Sequence, residues 1–189
     1  DVYVFAVKDD ALPGLISELV LPLQALLLHT AGSVPMEVFK GKAERHGALY
    51  PLQTFSRERA VCFREIPCFI EASTQEALQA LKRLAETVSG RVEVLDSEKR
   101  RHLHLSAVFA CNFVNALYSM ATDLLDEREG LPFDVLRPLI EETAAKAVEA
   151  AHPRNVQTGP AVRGDKAVAE RHVAMLKEAN QQEIFKLLT

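Results

Sequence analysis

Apolar residues along this chain follow two rhythms: short runs broken by turn residues up to about residue 96, then helical spacing to the end. Val2-Tyr3-Val4-Phe5-Ala6-Val7 is β-branched and aromatic and is followed by Lys8-Asp9-Asp10. It predicts a buried parallel strand whose carboxyl end opens a loop. Residues 10–28 carry apolar positions at helical spacing, and Ala25-Leu26-Leu27-Leu28-His29-Thr30 predicts a second strand closed by the turn Ala31-Gly32-Ser33. Val34 to Phe39 fits a short helix with Pro35 in its first turn and Ser33 as N-cap. Gly47 to Leu52 and Pro67 to Ala72 predict two further strands across a polar loop. Ser73-Thr74-Gln75-Glu76 opens a helix to about Val88 that Gly90 closes, and Arg91 to Leu95 alternates as an edge strand. Strands and helices in alternation predict a mostly parallel sheet.

Beyond Asp96 no strand pattern recurs, which divides the chain into 1–96 and 97–189. Leu103 to Leu125 is apolar almost all round, the pattern of a helix buried on every side. Asp134 is a candidate N-cap for a helix to about Ala151, and Pro153 to Asp165 reads as a loop. Asp165 then caps a helix to about Asn180, and Glu183 to Leu188 forms a last short one. The expected fold class is α/β followed by all-α.

Composition narrows the function. The chain has 189 residues, 48% hydrophobic and 25% charged, which suits a folded protein. A net charge of -4 argues against a nucleic-acid partner, and Lys99-Arg100-Arg101 reads as a solvated helix end. Cys62, Cys68 and Cys111 have neither CxxC nor zinc-finger spacing, so reduced thiols, a cytoplasmic location and no metal site are expected. No signal-peptide pattern is visible, and Asn112 and Asn115 interrupt the apolar helix, so no membrane partner is expected. The chain starts directly in a strand, so a preceding half with a phosphate loop is expected.

Candidate chemistry collects on the apolar helix. His104, Val108, Asn112, Asn115 and Ser119 follow one another by four, four, three and four residues and share a face. Buried polar groups need partners, so this stripe faces either a ligand cavity or a hydrogen-bonded seam between helices. An imidazole beside orienting amides suits proton transfer to a carbonyl oxygen. At the strand ends, His29, Thr30, Gly32 and Ser33 offer hydroxyls and a close backbone approach to a ribose or nicotinamide, or form a plain connection. Lys8, between Val7 and Asp9, meets a phosphate or solvent. Arg163, on a loop stiffened by Gly159, Pro160 and Gly164, offers a fork to a carboxylate or phosphate, or forms a surface ion pair.

Several ordered segments together resemble one family. His29 to Pro35, Tyr50 to Ser56, Phe69 to Ala72, His104 to Phe113, Thr158-Gly159-Pro160 and Arg163-Gly164-Asp165 are similar to the Rossmann-like proteins carrying the domain of unknown function 2520. The resemblance implies the carboxyl-terminal part of a Rossmann-like parallel-sheet domain, its GxGxxG absent from this chain. A helical domain similar to that of 6-phosphogluconate dehydrogenase follows. It also implies an oxidoreductase using NADP (or NAD) on a small carbonyl, hydroxy or imino acid. Separately, the nearly all-apolar Leu103 to Leu125 helix needs covering on every side, so a homodimer through the helical domain is expected. Ala6-Val7-Lys8 resembles the segment that pyrroline-5-carboxylate reductases place near the cofactor phosphates, and Ala31-Gly32 their nicotinamide-side loop. The implied cofactor residues are Val7, Lys8, Asp9, His29, Thr30, Gly32 and Ser33. The implied substrate residues are Tyr50, Gln53, Ser56, Asn115, Thr158, Gly159 and Arg163. In β-hydroxyacid dehydrogenases the corresponding helix carries a catalytic Lys one turn before an Asn. Here Asn112 takes the Asn place, Val108 and Phe109 the Lys place, and His104 is left as the acid. Without the Lys, a non-catalytic nucleotide- or metabolite-binding protein is the alternative.

Overall fold

A computed structural model describes residues 1–22 and 24–189. Leu23, inside the first stretch read as helical, and the side chains of 126–129 and 160–161, the last two in the loop after Thr158, lie outside the described residues. Five strands, β1 (Val2–Phe5), β2 (Leu26–His29), β3 (Arg45–Pro51), β4 (Cys68–Ala72) and β5 (Val92–Val94), form one sheet in sequential order. Three pairings are parallel, and β3 runs antiparallel to β4. Helices follow the sheet, as the α/β-then-all-α pattern predicts.

The leucine run of β2 explains how the sheet is covered. Leu27 joins a cluster with Phe5, Leu12, Ile16 and Phe39, whereas Leu26 and Leu28 join Ile70, Ala77, Leu81 and Ala85. Alternate side chains of one strand therefore feed two cores, which is why β2 is apolar without interruption. Burying each such leucine contributes about 2 kcal/mol. In β1 and β2, Phe5 pairs with His29, so the loops after both strands leave the same edge.

Local signals set most element ends. α1 (Leu12–Glu18) carries a proline in its first turn and stops at Leu19, well short of the predicted stretch. α2 (Gln75–Val88) is capped by Thr74, whose hydroxyl accepts from the Ala77 amide at 3.1 Å, and lays Ala77, Leu81 and Ala85 against the sheet. It ends at Ser89 in extended backbone, without Gly90 as the terminator. The residues after Pro35 form a 3-10 turn, Met36–Phe39, whose cap position is Pro35 and which has no side-chain cap; the Ser33 hydroxyl donates to Asp9.

α3 (Ser97–Ala107) starts at Asp96, which accepts from the Lys99 amide at 2.8 Å, and runs through a π-helical turn, Val108–Asn112, into α4 (Phe113–Glu129). Two sequence expectations fail here. Arg100 is fully buried, and Leu103 to Leu125 is nowhere buried among its described residues, with Phe109 62% exposed. Ser97–Leu125 is long and apolar enough to cross a membrane by length and composition, but its first turn is tied into the sheet by Arg100.

The chain divides into two compact units, Asp1–Val114 and Asn115–Thr189. The change from strands to helices comes earlier, at Ser97, because the first turns of α3 are bonded to the sheet. In the second unit, Asp134 lies inside a 3-10 turn, Phe133–Leu136, that Pro132 precedes, and does not cap α5 (Arg137–Glu149). The predicted loop holds a 3-10 turn, Pro153–Val156, and α6 (Pro160–Arg163). Asp165 caps α7 (Lys166–Met175), accepting from the Val168 amide at 3.3 Å, and α8 (Ala179–Leu188) follows.

Candidate active site

Helical spacing places Ser97, Arg100 and His104 along one side of α3. The first two anchor that side to the sheet. Glu71, near the end of β4, accepts from the Ser97 amide at 2.9 Å and its hydroxyl at 2.6 Å. The Arg100 guanidinium donates to Glu71 at 2.7 Å and to the Val34 carbonyl at 2.6 Å, with only Nε left unpartnered. Arg100 is 0% exposed and the Glu71 side chain 13%, so this is a buried, multiply bonded ion pair. It joins β4, the loop after β2 and the first turn of α3.

One turn on, His104 meets Tyr50 from β3 and Gly32 from the turn after β2. Its Nδ1 lies 3.1 Å from the Tyr50 hydroxyl, with the rings edge to face at 6.0 Å. Its imidazole also rests on Gly32, where an added Cβ would lie 2.5 Å from Nδ1 and 2.7 Å from Cγ. Burial pushes the Tyr50 phenol up from its ordinary value; the field of Arg100 opposes this and that of Asp9 adds to it. Tyr50 therefore keeps its proton across the neutral range. A phenol can accept a hydrogen bond from an imidazole N–H or donate to the bare nitrogen.

Tyr50 and His104 open onto a cleft of about 610 Å³. Gln53, Thr54, Val108 and Asn112 also line it, with Leu52, Phe55, Leu103, Ala107 and Cys111. Of these, Tyr50, Gln53, His104 and Asn112 are sequence candidates, Leu52 and Phe55 belong to the expected substrate segment and Val108 to the helix stripe, whereas Leu103, Ala107 and Cys111 carry no such expectation. Asn115 belongs to the second compact unit. Ser56 is exposed beyond the cleft-lining segment. Thr158, Gly159 and Arg163 also lie in the second unit, with Gly159 at a φ of 108°. Glu71 and Arg100 went unnamed. The available signal was the spacing of Arg100 between Ser97 and His104, together with Glu71 in an otherwise apolar strand.

The residues read as cofactor-binding gather where β1 and β2 end. Val7 and Lys8 are exposed, Thr30 is half-buried, and Ser33 pairs with Asp9. Among the described residues, the Lys8 ammonium and the Thr30 hydroxyl make no hydrogen bond or ion pair with the protein. His29 differs, because its ring is 0% exposed and stacks on Phe39 at 5.8 Å. Its Nδ1 accepts from the Ala31 amide at 3.2 Å, which puts the ring proton on Nε2. Nε2 has no partner at hydrogen-bonding geometry, although the Pro35 carbonyl lies close enough to favour the charged ring slightly. Burial, helped by Arg100, lowers the His29 pKa to about 4.

Comparison with known proteins agrees with this architecture. Residues 66–189 match the family described as Domain of unknown function (DUF2520). No curated protein matches the chain. A crystal structure of a candidate NADP oxidoreductase from Bacteroides fragilis is similar over 99% of this chain and 73% of its own. It is 47% identical, with a TM-score of 0.92. A protein from Thermotoga maritima is 26% identical with a TM-score of 0.81, over 100% of this chain and 77% of that one. An NADH-preferring ketol-acid reductoisomerase from an uncultured archaeon shares the fold alone. It is 13% identical with a TM-score of 0.56, over 98% of this chain and 61% of that one. The sheet and helices are thus a Rossmann-type oxidoreductase scaffold.

Proposed function

The chain belongs to the DUF2520 family, and from that premise we propose that it is a nicotinamide-dependent oxidoreductase moving a hydride to or from a carbonyl, hydroxy or imino compound. The observation that carries this reading is the Tyr50–His104 pair, seated on Gly32 of the strand-end turn and facing the cleft. The turn after β2 thereby meets a titratable group from the helix.

The strand-end residues fit a dinucleotide. Parallel strands end side by side, and the uncommitted Lys8 ammonium and Thr30 hydroxyl flank the space beyond them. Val7, Lys8, Asp9, Thr30, Gly32 and Ser33, with the main chain of His29, would hold NADP, the cofactor named for the Bacteroides fragilis relative, or NAD. The nicotinamide supplies or takes the hydride.

The protein moves the proton. In the proposed arrangement the Tyr50 oxygen accepts Nδ1–H of His104, which leaves Nε2 to give a proton to the substrate oxygen or nitrogen in reduction and recover it in oxidation. The same Nδ1 hydrogen bond serves the charged ring and the neutral one. Asn112, whose amide has no partner among the described residues, orients the substrate.

A homodimer completes the reading. Leu105, Phe109 and Phe113 are exposed, and Phe109 and Phe113 pack on each other at 4.8 Å, so a second copy in the cytoplasm is the natural cover for this apolar surface. The alternative is a nucleotide-binding protein without turnover, favoured by Val108 standing in the cleft at the lysine place. Calorimetric titration with NADPH and NADH, followed by NADPH oxidation against a panel of ketones, keto acids and imines, separates the two. Binding with turnover that falls at least about 100-fold in His104→Ala supports the oxidoreductase. Binding without turnover supports the alternative.

A further inference from the structure

Resting on the oxidoreductase reading, we propose that the reacting compound is an uncharged, mainly apolar ketone, aldehyde or imine, not a small keto acid. The cleft wall carries the argument. Among the described residues no Lys, Arg, Asp or Glu lines it, and its surface is mainly apolar, with Leu52, Phe55, Leu103, Ala107 and Val108 beside Tyr50 and His104. Arg100, one turn before His104 on the same side of the helix, is fully buried and committed to Glu71 and the Val34 carbonyl. A carboxylate against that wall would lose its water and find no permanent cation among the described lining residues, since the His104 imidazole faces the reacting oxygen or nitrogen.

Size points the same way. About 610 Å³ lies within the range of roughly 300–1,000 Å³ typical of sites for drug-sized ligands, far more than a three-carbon acid fills. The polar groups present are the imidazole held by a phenol, the amides of Gln53 and Asn112, and the hydroxyls of Thr54 and Ser106, which suit a neutral oxygen or nitrogen. The substrate's polar atom faces these groups, and its apolar body covers the wall.

Phenylacetone and phenylpyruvate test this, since they share a benzyl carbonyl and differ by a methyl against a carboxylate. Dissociation constants for the unmodified chain are measured by ligand-observed NMR with NADPH oxidation followed in parallel. The expected result is phenylacetone bound at least tenfold more tightly, with Val108→Arg reversing the order. Phenylpyruvate bound as tightly or more tightly by the unmodified chain overturns the proposal, and an accompanying loss in Arg163→Ala assigns the acid to that arginine. Failure of both probes to bind also overturns it. Preferential binding of phenylacetone without NADPH oxidation upholds the ligand class and removes the hydride-transfer reading. Reduction of a tightly bound phenylpyruvate does the reverse.

Discussion

His104 occupies the space that any side chain at position 32 would fill. The strand-end turn and the helix approach each other at a glycine because a Cβ there would overlap the imidazole. A methyl at position 32 would meet the ring at 2.5 Å, so the ring must leave Tyr50 or the turn must move. Gly32→Ala is expected to destabilise the protein by about 1–3 kcal/mol and to lower turnover by tenfold or more. The double variant Gly32→Ala, His104→Ala should regain most of the stability and none of the activity. Urea denaturation of the three variants checks this, and additive losses would argue against the contact.

Tyr50 holds the ring from the other side. Removing its hydroxyl in Tyr50→Phe keeps the edge-to-face packing and deletes a single 3.1 Å hydrogen bond, so the stability loss should be about 1 kcal/mol. The effect on the site should be larger. Without the hydroxyl the ring distributes between tautomers, and the 15N shifts of His104 should move toward a mixture while kcat falls about 10- to 100-fold. Unchanged ring-nitrogen shifts would mean that Tyr50 does not set the tautomer.

The Glu71–Arg100 pair supports both residues by fixing the start of α3. Arg100→Met leaves the Glu71 carboxylate with the Ser97 donors but no counter-charge and the Val34 carbonyl without its donor, which is expected to cost about 3–5 kcal/mol. Arg100→Lys keeps the charge but cannot bridge two acceptors in a fixed fork, so it should recover only part of the loss. Chemical denaturation midpoints of the two variants measure the difference.

Much of the first unit was legible in the sequence because its signals are local. The β2 leucines declare a strand covered on both faces, and Thr74 declares a helix start. The antiparallel pairing of β3 with β4 was not legible, since alternation along a strand carries no direction. Arg100 was misread because a basic cluster near a helix start is ordinarily solvated, and its burial depends on Glu71, far off in sequence. His104, by contrast, stood out as a polar residue in an apolar helix, and the structure adds Tyr50 and Gly32 as its neighbours. Leu103 and Ala107 in the cleft wall stayed hidden, because an apolar side chain facing a ligand reads the same as one facing a core.

His29 should make the fold sensitive to mild acid. Buried against Phe39 with Nε2 unpartnered, the ring is held neutral, with its pKa lowered from 6.5 to about 4. Above pH 6.5 the ring is neutral in both folded and unfolded chains and contributes no pH dependence. As pH falls from 6.5 toward 4 the unfolded chain takes up a proton that the folded chain refuses, so stability declines across that window. The slope is at most about 1.4 kcal/mol per pH unit, reaching roughly 3 kcal/mol by pH 4. In His29→Gln the ring no longer titrates, so the difference in unfolding free energy between variant and parent should shrink as pH falls. Urea denaturation at pH 7.5, 6, 5 and 4 measures this. A constant difference across the series would mean that His29 takes up its proton equally in both states, and so is not held neutral by burial.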